Sequence, residues 1–231
     1  MRPLASALTN EISLFGLRLQ LLEDKALYLP EVDALLVSDV HLGKAETFQS
    51  FGIPIASQIN DENLDRLRSL INQTKPKKLF ILGDLFHSKK SLVPEVLISW
   101  DTFLKEMSAQ ACLEVCLIVG NHDRRLVSLL PPMSMNCQVD TIEVGPFLLS
   151  HEPEIRHSSA LNICGHIHPV LKLRSHTDSL RLPCFFIERH QKRLTLPSFG
   201  EFTGGYEVDL QDNDCAYVVC EGEAISFDAR C

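Results

Sequence analysis

Three short apolar runs, at 34–37, 79–82 and 113–119, end in Ser38-Asp39, Gly83-Asp84 and Gly120-Asn121. Nothing else in the sequence narrows the fold as much. Continuous apolar runs of this length suit strands buried on both faces. Helical periodicity lies between them. Asp61 can cap a helix whose Leu64, Leu67, Leu70 and Ile71 share a face up to Lys75-Pro76. Pro94 can open a second, with Val96, Leu97, Trp100 and Leu104 on one side. Strand, helix, strand, helix, strand implies a parallel core joined by right-handed crossovers. Ahead of it, residues 12–22 alternate as a strand interrupted by Gly16, with 27–29 as a hairpin partner. After Asp123 the pattern turns strand-rich, over 142–150, 161–164, 182–188, 206–210, 216–220 and 224–227.

The ends of these runs share one property. Asp39 and His41 follow the first, Asp84 and His87 the second, and Asn121, His122 and Asp123 the third. His151 follows Leu148-Leu149-Ser150, and His166 and His168 follow Ile163-Cys164-Gly165. In open α/β sheets the carboxyl edge of the strands is where ligands bind. Asp, His and Asn without a thiolate form a mixed nitrogen and oxygen set, suited to Mn²⁺, Fe or catalytic Zn²⁺. Seven candidates, Asp39, His41, Asp84, Asn121, His151, His166 and His168, exceed what one tetrahedral ion needs. They suit two ions sharing a carboxylate. Such ions, about 3.5–4 Å apart, would hold a hydroxide and clamp both oxygens of an in-line phosphoryl displacement. Gly83, Gly120 and Gly165 each precede a candidate ligand, where a Cβ could obstruct the backbone. Any one of these residues alone could be a cap or a hydrogen-bonded core group. Five clusters in order, each at a strand end, are harder to explain that way.

Composition adds limits. The 231 residues suit one domain, 1–231, with a real core. Eight cysteines form no CxxC pair, no apolar stretch reaches membrane-spanning length and the N-terminus lacks a signal-peptide pattern. A reducing cytoplasm and no membrane association are expected. The net charge of −8 argues at first against a polyanionic partner, but residues 201–231 carry −7 of it. The stretch 172–193 carries a local +4, including Arg174 and Arg181, and could follow a nucleic-acid backbone; a solvated face is the plainer reading. Arg124 and Arg125 could neutralise phosphate oxygens, or pair with surface acids. Residues 197–205 read as a mobile loop. Phe199, Phe202 and Tyr206 could stack on bases, with packing in the core as the simpler alternative.

The series Asp39-Val-His41, Gly83-Asp84, Gly120-Asn121-His122-Asp123, Ser150-His151 and Gly165-His166-Ile167-His168 resembles the calcineurin-like metallophosphoesterase superfamily. The resemblance implies a four-layer α/β/β/α sandwich with mixed central sheets and a dinuclear metal site at the sheet edge. It implies that Asp39, His41 and His168 hold one ion, that Asn121, His151 and His166 hold the other, and that Asp84 bridges them. It also implies that His122 stabilises the transition state or protonates the leaving oxygen, positioned by Asp123. His87 stands where the phosphoprotein phosphatase branch has Asp, and Gly83-Asp84-Leu85-Phe86-His87 instead resembles the double-strand-break repair nucleases, where this His handles the scissile phosphate. Asp39-Val-His41-Leu42-Gly43-Lys44, Gly120 to Arg125 and Pro197 to Gly205 resemble the bacterial DNA-ligase-associated metallophosphoesterases, of the DNA damage response endonuclease type.

That resemblance implies a Mn²⁺-dependent phosphodiesterase acting by a metal-bridging hydroxide. Its expected substrate is single-stranded or structured DNA, in a repair set with a DNA ligase and a helicase. Catalytic expectations fall on His122, Asp123, His87 and Arg124, with Arg125, Arg174 and Arg181 as substrate contacts. Rival readings are a small-molecule phosphodiesterase or nucleotide-sugar pyrophosphatase, and a non-catalytic scaffold. The lipid A precursor hydrolases usually carry Gly-Asn-Arg-Asp, so His122 argues against the former. The full ligand set argues against the latter.

Overall fold

The computed structural model describes residues 10–154, 159–175, 177–201, 203–221 and 223–229. The side chains of 110 and 111 are outside that description. The first sheet has the order β1 (Asn10–Leu14), β2 (Leu17–Leu22), β3 (Ala26–Leu29), β4 (Ala34–Val37), β5 (Lys78–Leu82), β6 (Glu114–Ile118) and β7 (Asn136–Gln138). Its first four strands pair antiparallel, and β4 through β7 pair parallel. The remaining strands are β8 (Ile142–Val144), β9 (Phe147–Leu149), β10 (Leu161–Cys164), β11 (Pro169–Arg174), β12 (Ser179–Pro183), β13 (Phe185–Glu188), β14 (Arg193–Thr195), β15 (Tyr206–Glu207), β16 (Cys215–Cys220) and β17 (Glu223–Asp228). They form a second seven-stranded sheet, β17-β16-β13-β14-β10-β9-β8, and a small sheet, β12-β11-β15.

Alternation within the buried runs explains the layering. Ala34 and Leu36, Phe80 and Leu82, and Cys116 and Ile118 face inward, packing against Phe147, Leu149, Ile163 and Phe185 of the second sheet. Their neighbours Leu35, Val37, Leu79, Ile81, Val115 and Leu117 face outward. There they meet α2 (Gln58–Thr74), through Leu64, Leu67 and Leu70, and α3 (Pro94–Ala111), through Trp100, Phe103 and Met107. A run buried on both faces therefore needs no polar alternation, as expected. Across the second sheet the same rule applies. Phe185 points inward, while Phe186 joins Leu171, Val208 and Val218 under the small sheet. Among the described residues, that outer layer is β-structure where a helical layer was expected.

Several boundaries differ for identifiable reasons. α2 begins at Gln58, so Asp61 sits in its first turn instead of capping it. An acid there still faces the positive end of the helix dipole. Asn60, buried in the same turn, accepts from the Gly43 amide at 2.9 Å and donates to the Glu46 carboxylate. These bonds order a short helix, α1 (Lys44–Gln49), that its weak periodicity did not announce. The expected strand over 182–188 breaks at Cys184, because its halves serve different sheets. The strand over 142–150 is a hairpin turning at Gly145-Pro146. Of 206–210 only Tyr206–Glu207 pairs, and β7, β11 and β14 were not foreseen.

Residues 197–200 correct the expectation of a mobile loop. They are buried, with the Phe199 amide donating to the Ser38 carbonyl at 2.8 Å and the Gly200 amide to the Asp39 carbonyl at 3.0 Å. Phe199 is fully buried under the Arg66 guanidinium, 4.5 Å from the ring centre, and cannot stack on a base. Tyr206 is exposed, and Phe202 lies outside the described residues. No helix among the described residues is long and apolar enough to cross a membrane. Phe199→Ala should cost about 3–5 kcal/mol of stability, as large core truncations do, measured by urea unfolding. A loss within about 0.5 kcal/mol, typical of surface positions, would return the segment to the loop class.

Candidate metal centre

The loops after β4, β5, β6, β9 and β10 meet at one edge of the paired sheets. Their backbones are bonded to one another: the Asp39 amide donates to the Gly83 carbonyl at 3.1 Å, the His41 amide to Asp84 at 2.9 Å and the Gly165 amide to His151 at 3.0 Å. Asp39, His41, Asp84, His166 and His168 all have positive φ, between 49° and 73°. Each such backbone costs on the order of 1–3 kcal/mol and persists only where its surroundings fix it. Gly83, with φ of 80°, has no Cβ because one would enter the His151 ring. At Gly120 a Cβ would strike Asp84 Oδ1, and at Gly165 the Ser38 hydroxyl. The glycines before the ligands are thus steric requirements.

All seven ligand candidates come together here. Asp39, His41 and His168 form one group and Asp84, His151 and His166 another, each with donor atoms within 4.8 Å of one another. Asn121 Oδ1 joins the second, 2.8 Å from His151 Nε2 and 3.0 Å from His166 Nδ1. Tautomers follow from the partners, since a backbone carbonyl only accepts. His151 donates its Nδ1–H to the Leu82 carbonyl (2.8 Å), His168 to Gly204 (3.0 Å) and His122 to His87 (2.6 Å). In the neutral ring each Nε2 is then a lone pair facing the centre, the usual outer-shell arrangement for a metal-binding imidazole.

Those lone pairs meet oxygens that also only accept. Asp39 Oδ1 is buried without a hydrogen-bond donor, and stands 3.1 Å from His168 Nε2 outside hydrogen-bond geometry. Its other oxygen accepts from the Ser38 hydroxyl at 2.5 Å and the His166 amide at 3.0 Å. A cation, or a proton, is what this convergence lacks. Two divalent ions fit the donor set.

The electrostatics agree. Burial drives His41 down to about 2, so its ring is neutral, as a metal-binding imidazole must be. Burial works to raise Asp39, but contact with His168 and its charge prevail and hold the carboxyl below its ordinary range. His168 is raised, because the Asp39 contact outweighs its burial. Asp84 is raised by burial, to which the charge of Asp39 adds.

His122 lies at the mouth, its amide donating to Asp84 Oδ1 at 2.9 Å and its Nε2 3.9 Å from Asp84 Oδ2. His87 stacks on it at 5.4 Å and lies 3.4 Å from His41, nitrogen to nitrogen. Asp123, expected among the catalytic groups, is buried. It accepts from the Leu85, Phe86 and Gly120 amides at 3.2 Å each, so it positions the two loops and cannot touch a substrate. Burial pushes it up to about 6. Arg124 and Arg125 are exposed beside the centre, Arg124 3.4 Å from Glu152. The basic stretch is partly paired: Glu207 meets Lys172 and Arg174, and Glu188 meets Arg193. Arg181 donates to the Gly205 carbonyl at 2.7 Å, next to the carbonyl that orients His168. Sequence reasoning missed Ser38 and Ser198, whose hydroxyls bond the Asp39 carboxylate and carbonyl. Ser198 lies in the motif around Pro197, read there as a loop, and Ser38 stands directly before Asp39.

The calcineurin-like phosphoesterase family profile matches residues 33–220. Among solved structures, the nuclease MPE of Pseudomonas putida is 38% identical, with a TM-score of 0.75, over 91% of this chain and 96% of its own. The phosphoesterase Yfce of E. coli is 17% identical, with a TM-score of 0.44, over 85% of this chain and 98% of its own. No protein of curated function matches the chain in sequence.

An acid whose folded pKa is raised costs stability as pH rises through it. In EDTA, Asp84→Asn should therefore melt above wild type, by a margin that widens as pH rises above the ordinary carboxylate range. The amide suits a positive φ and keeps the His122 bond. Divalent metal at about 100 times its Kd adds ~2.7 kcal/mol per site, about 5–10 °C in Tm, to wild type, and less to the variant. Equal metal-induced shifts in the two proteins would exclude Asp84 from the ligand set.

Proposed function

The chain belongs to the calcineurin-like phosphoesterase family and is a metal-dependent phosphoester hydrolase, and from that premise we propose that it is a DNA endonuclease. Its substrate is single-stranded or structured DNA undergoing repair, in a cytoplasmic set with a DNA ligase and a helicase. The carrying observation is the convergence of acceptor atoms below His122, in a chain 38% identical to a nuclease over nine-tenths of its length. Free thiols at all seven described cysteines fit a reducing compartment.

In this reading Asp39, His41 and His168 would hold one ion, Asn121, His151 and His166 the other, and Asp84 would be shared. Mn²⁺ suits the donors best, with Zn²⁺ or Fe compatible. When bound, the ions supply Lewis-acid charge and an activated water. The chain's own residues do the rest. His122, its Nδ1 committed to the His87 carbonyl, has Nε2 as the atom that carries a proton to the leaving oxygen. The stacked His87 fixes the plane of that ring. Burial, with Lys44 adding, lowers His87 to about 4, so it meets a nonbridging phosphate oxygen as a neutral donor. Asp123 holds the loops in register, and Arg124, Arg125 and Arg181 border the cleft as phosphate contacts. Arg174 is left out, its charge taken by Glu207.

The test is hydrolysis with Mn²⁺ of bis(p-nitrophenyl) phosphate, single-stranded DNA, duplex DNA, RNA and a nucleotide-sugar. Cleavage of a DNA form, lost in Asp84→Asn, is expected. Hydrolysis of the small diester alone would sink the DNA reading and leave a small-molecule phosphodiesterase; no turnover at all would leave a scaffold. His122→Ala should lower kcat on DNA about 10²–10⁴-fold. The loss should be much smaller on the nitrophenyl diester, whose leaving group departs without a proton. Equal losses on both would remove His122 from the proton-transfer role.

A further inference from the structure

Many surface cations of this chain are matched by an acid, such as Lys25 and Arg66 by Glu201, or Arg68 by Asp65 and Glu106. Near one flank of the metal centre three cations, Lys44, Lys89 and Lys90, stand together with no salt bridge to an acid among the described residues. Lys44 is half-buried at the start of α1, and its charge depresses both His41 and His87. Lys89 and Lys90 are exposed on the single turn, Lys89–Ser91, that follows His87.

Aromatic rings run through the same flank. His122 stacks on His87, and His87 on Phe48 at 6.2 Å with planes 17° apart. Just beyond α1, Phe51 is 66% exposed and carries the Lys90 ammonium 3.6 Å over its ring. Ile53 beside it is 47% exposed. This flank is joined rigidly to the centre. The Leu42 amide donates to Leu85 at 2.8 Å and the His87 amide to Leu42 at 3.1 Å. The Thr47 and Ser88 hydroxyls lie 2.8 Å apart, tying α1 to the lysine turn, and Gly43 has no room for a Cβ against Ser91. An exposed phenylalanine has no structural reason to be held beside unmatched ammonium groups on a path of rings leading to the catalytic imidazole.

A polymer whose every unit offers a flat π-face and a phosphate fits that alternation. Base stacking on aromatic rings and lysine contact with phosphates are the two components of single-strand binding. A duplex, with its bases stacked inside, offers only the second. We infer that the flank formed by Phe51, Lys89 and Lys90 is the entry surface for a single nucleic-acid strand, Phe51 stacking on a base while the lysines neutralise backbone phosphates on the way to the metal centre. The inference rests on the nuclease reading above and gives that reading a side of approach, across α1.

Two measurements test it. The first is binding of a fluorescein-labelled single-stranded DNA to the metal-free protein in EDTA, by anisotropy, where no cleavage interferes. Phe51→Ala should weaken binding about tenfold, and Phe51→Trp should restore it. The double variant Lys89→Gln/Lys90→Gln should lower the slope of log K against log salt by about 1.4, at ~0.7 per single-strand phosphate. The second is hydrolysis of bis(p-nitrophenyl) phosphate with Mn²⁺, which reports folding and an intact centre. If the variants hydrolyse it like wild type and bind the strand as wild type does, the entry surface is wrong while the nuclease reading stands. If wild type hydrolyses the diester and neither binds nor cleaves any strand, the nuclease reading fails and the surface with it. Tighter binding of duplex than of single strand would also overturn the stacking role.

Discussion

Acceptor atoms that face one another at close range repel, and the architecture of this chain is arranged around one such group. A backbone carbonyl can only accept, so Leu82, Gly204 and His87 each fix the proton of one imidazole on Nδ1. The remaining lone pairs of His151 and His168 then point at Asn121 and Asp39 oxygens about 3 Å away. Folding alone does not relieve this contact. A proton does so partly, which is why His168 is raised beside Asp39. Divalent ions do so more fully, and compete with that proton, so metal affinity must fall in acid. The centre is unfavourable by itself and is held by the sheets on either side.

Asp39 illustrates how it is held. Its amide bonds the end of β5, its carbonyl accepts from Ser198 and Gly200, and one carboxylate oxygen accepts from Ser38 and from the loop after β10. These partners come from four stretches of chain, belonging to both large sheets. A left-handed backbone at this residue would relax if any one of them were alone. Together they leave it no other conformation, and the same holds for Asp84, His41, His166 and His168, whose strain is distributed over a lattice of inter-loop bonds.

This explains what could be read from the sequence. Strand β4 lies at 34–37 as expected and α3 starts at Pro94, because burial on both faces and a missing N–H leave local marks. The ligand clusters were legible for the same reason: each must follow a buried run, so apolar residues stop and Asp, Asn or His begins. What escaped was fixed at long range. Helix α1 depends on Asn60 reaching Gly43 and Glu46, and Asn60 reads only as a polar position in α2. The composition of Pro197 to Gly205 suggests a loop, yet two amides docked on Ser38 and Asp39 bury its first half. Asp123 was expected, from the family resemblance, to position His122. Its three amide partners, invisible in the sequence, make it a brace between the loops.

Charge shows the same division between what a chain carries and where it acts. Residues 201–231 hold −7 of the −8 total, which taken whole disfavours a polyanion. Yet Glu201 pairs with Lys25 and Arg66, and Glu207 with Lys172 and Arg174, so these two acids act on cations beside them. That pairing takes up part of the basic stretch's excess. Lys44, Lys89 and Lys90 stand on the α1 flank without such an acid. At the centre, two divalent ions of total charge +4 would face only Asp39 and Asp84, while burial keeps His41 neutral. With those ions bound, the centre would be locally positive beside a cationic α1 flank, whatever the net charge of the whole chain.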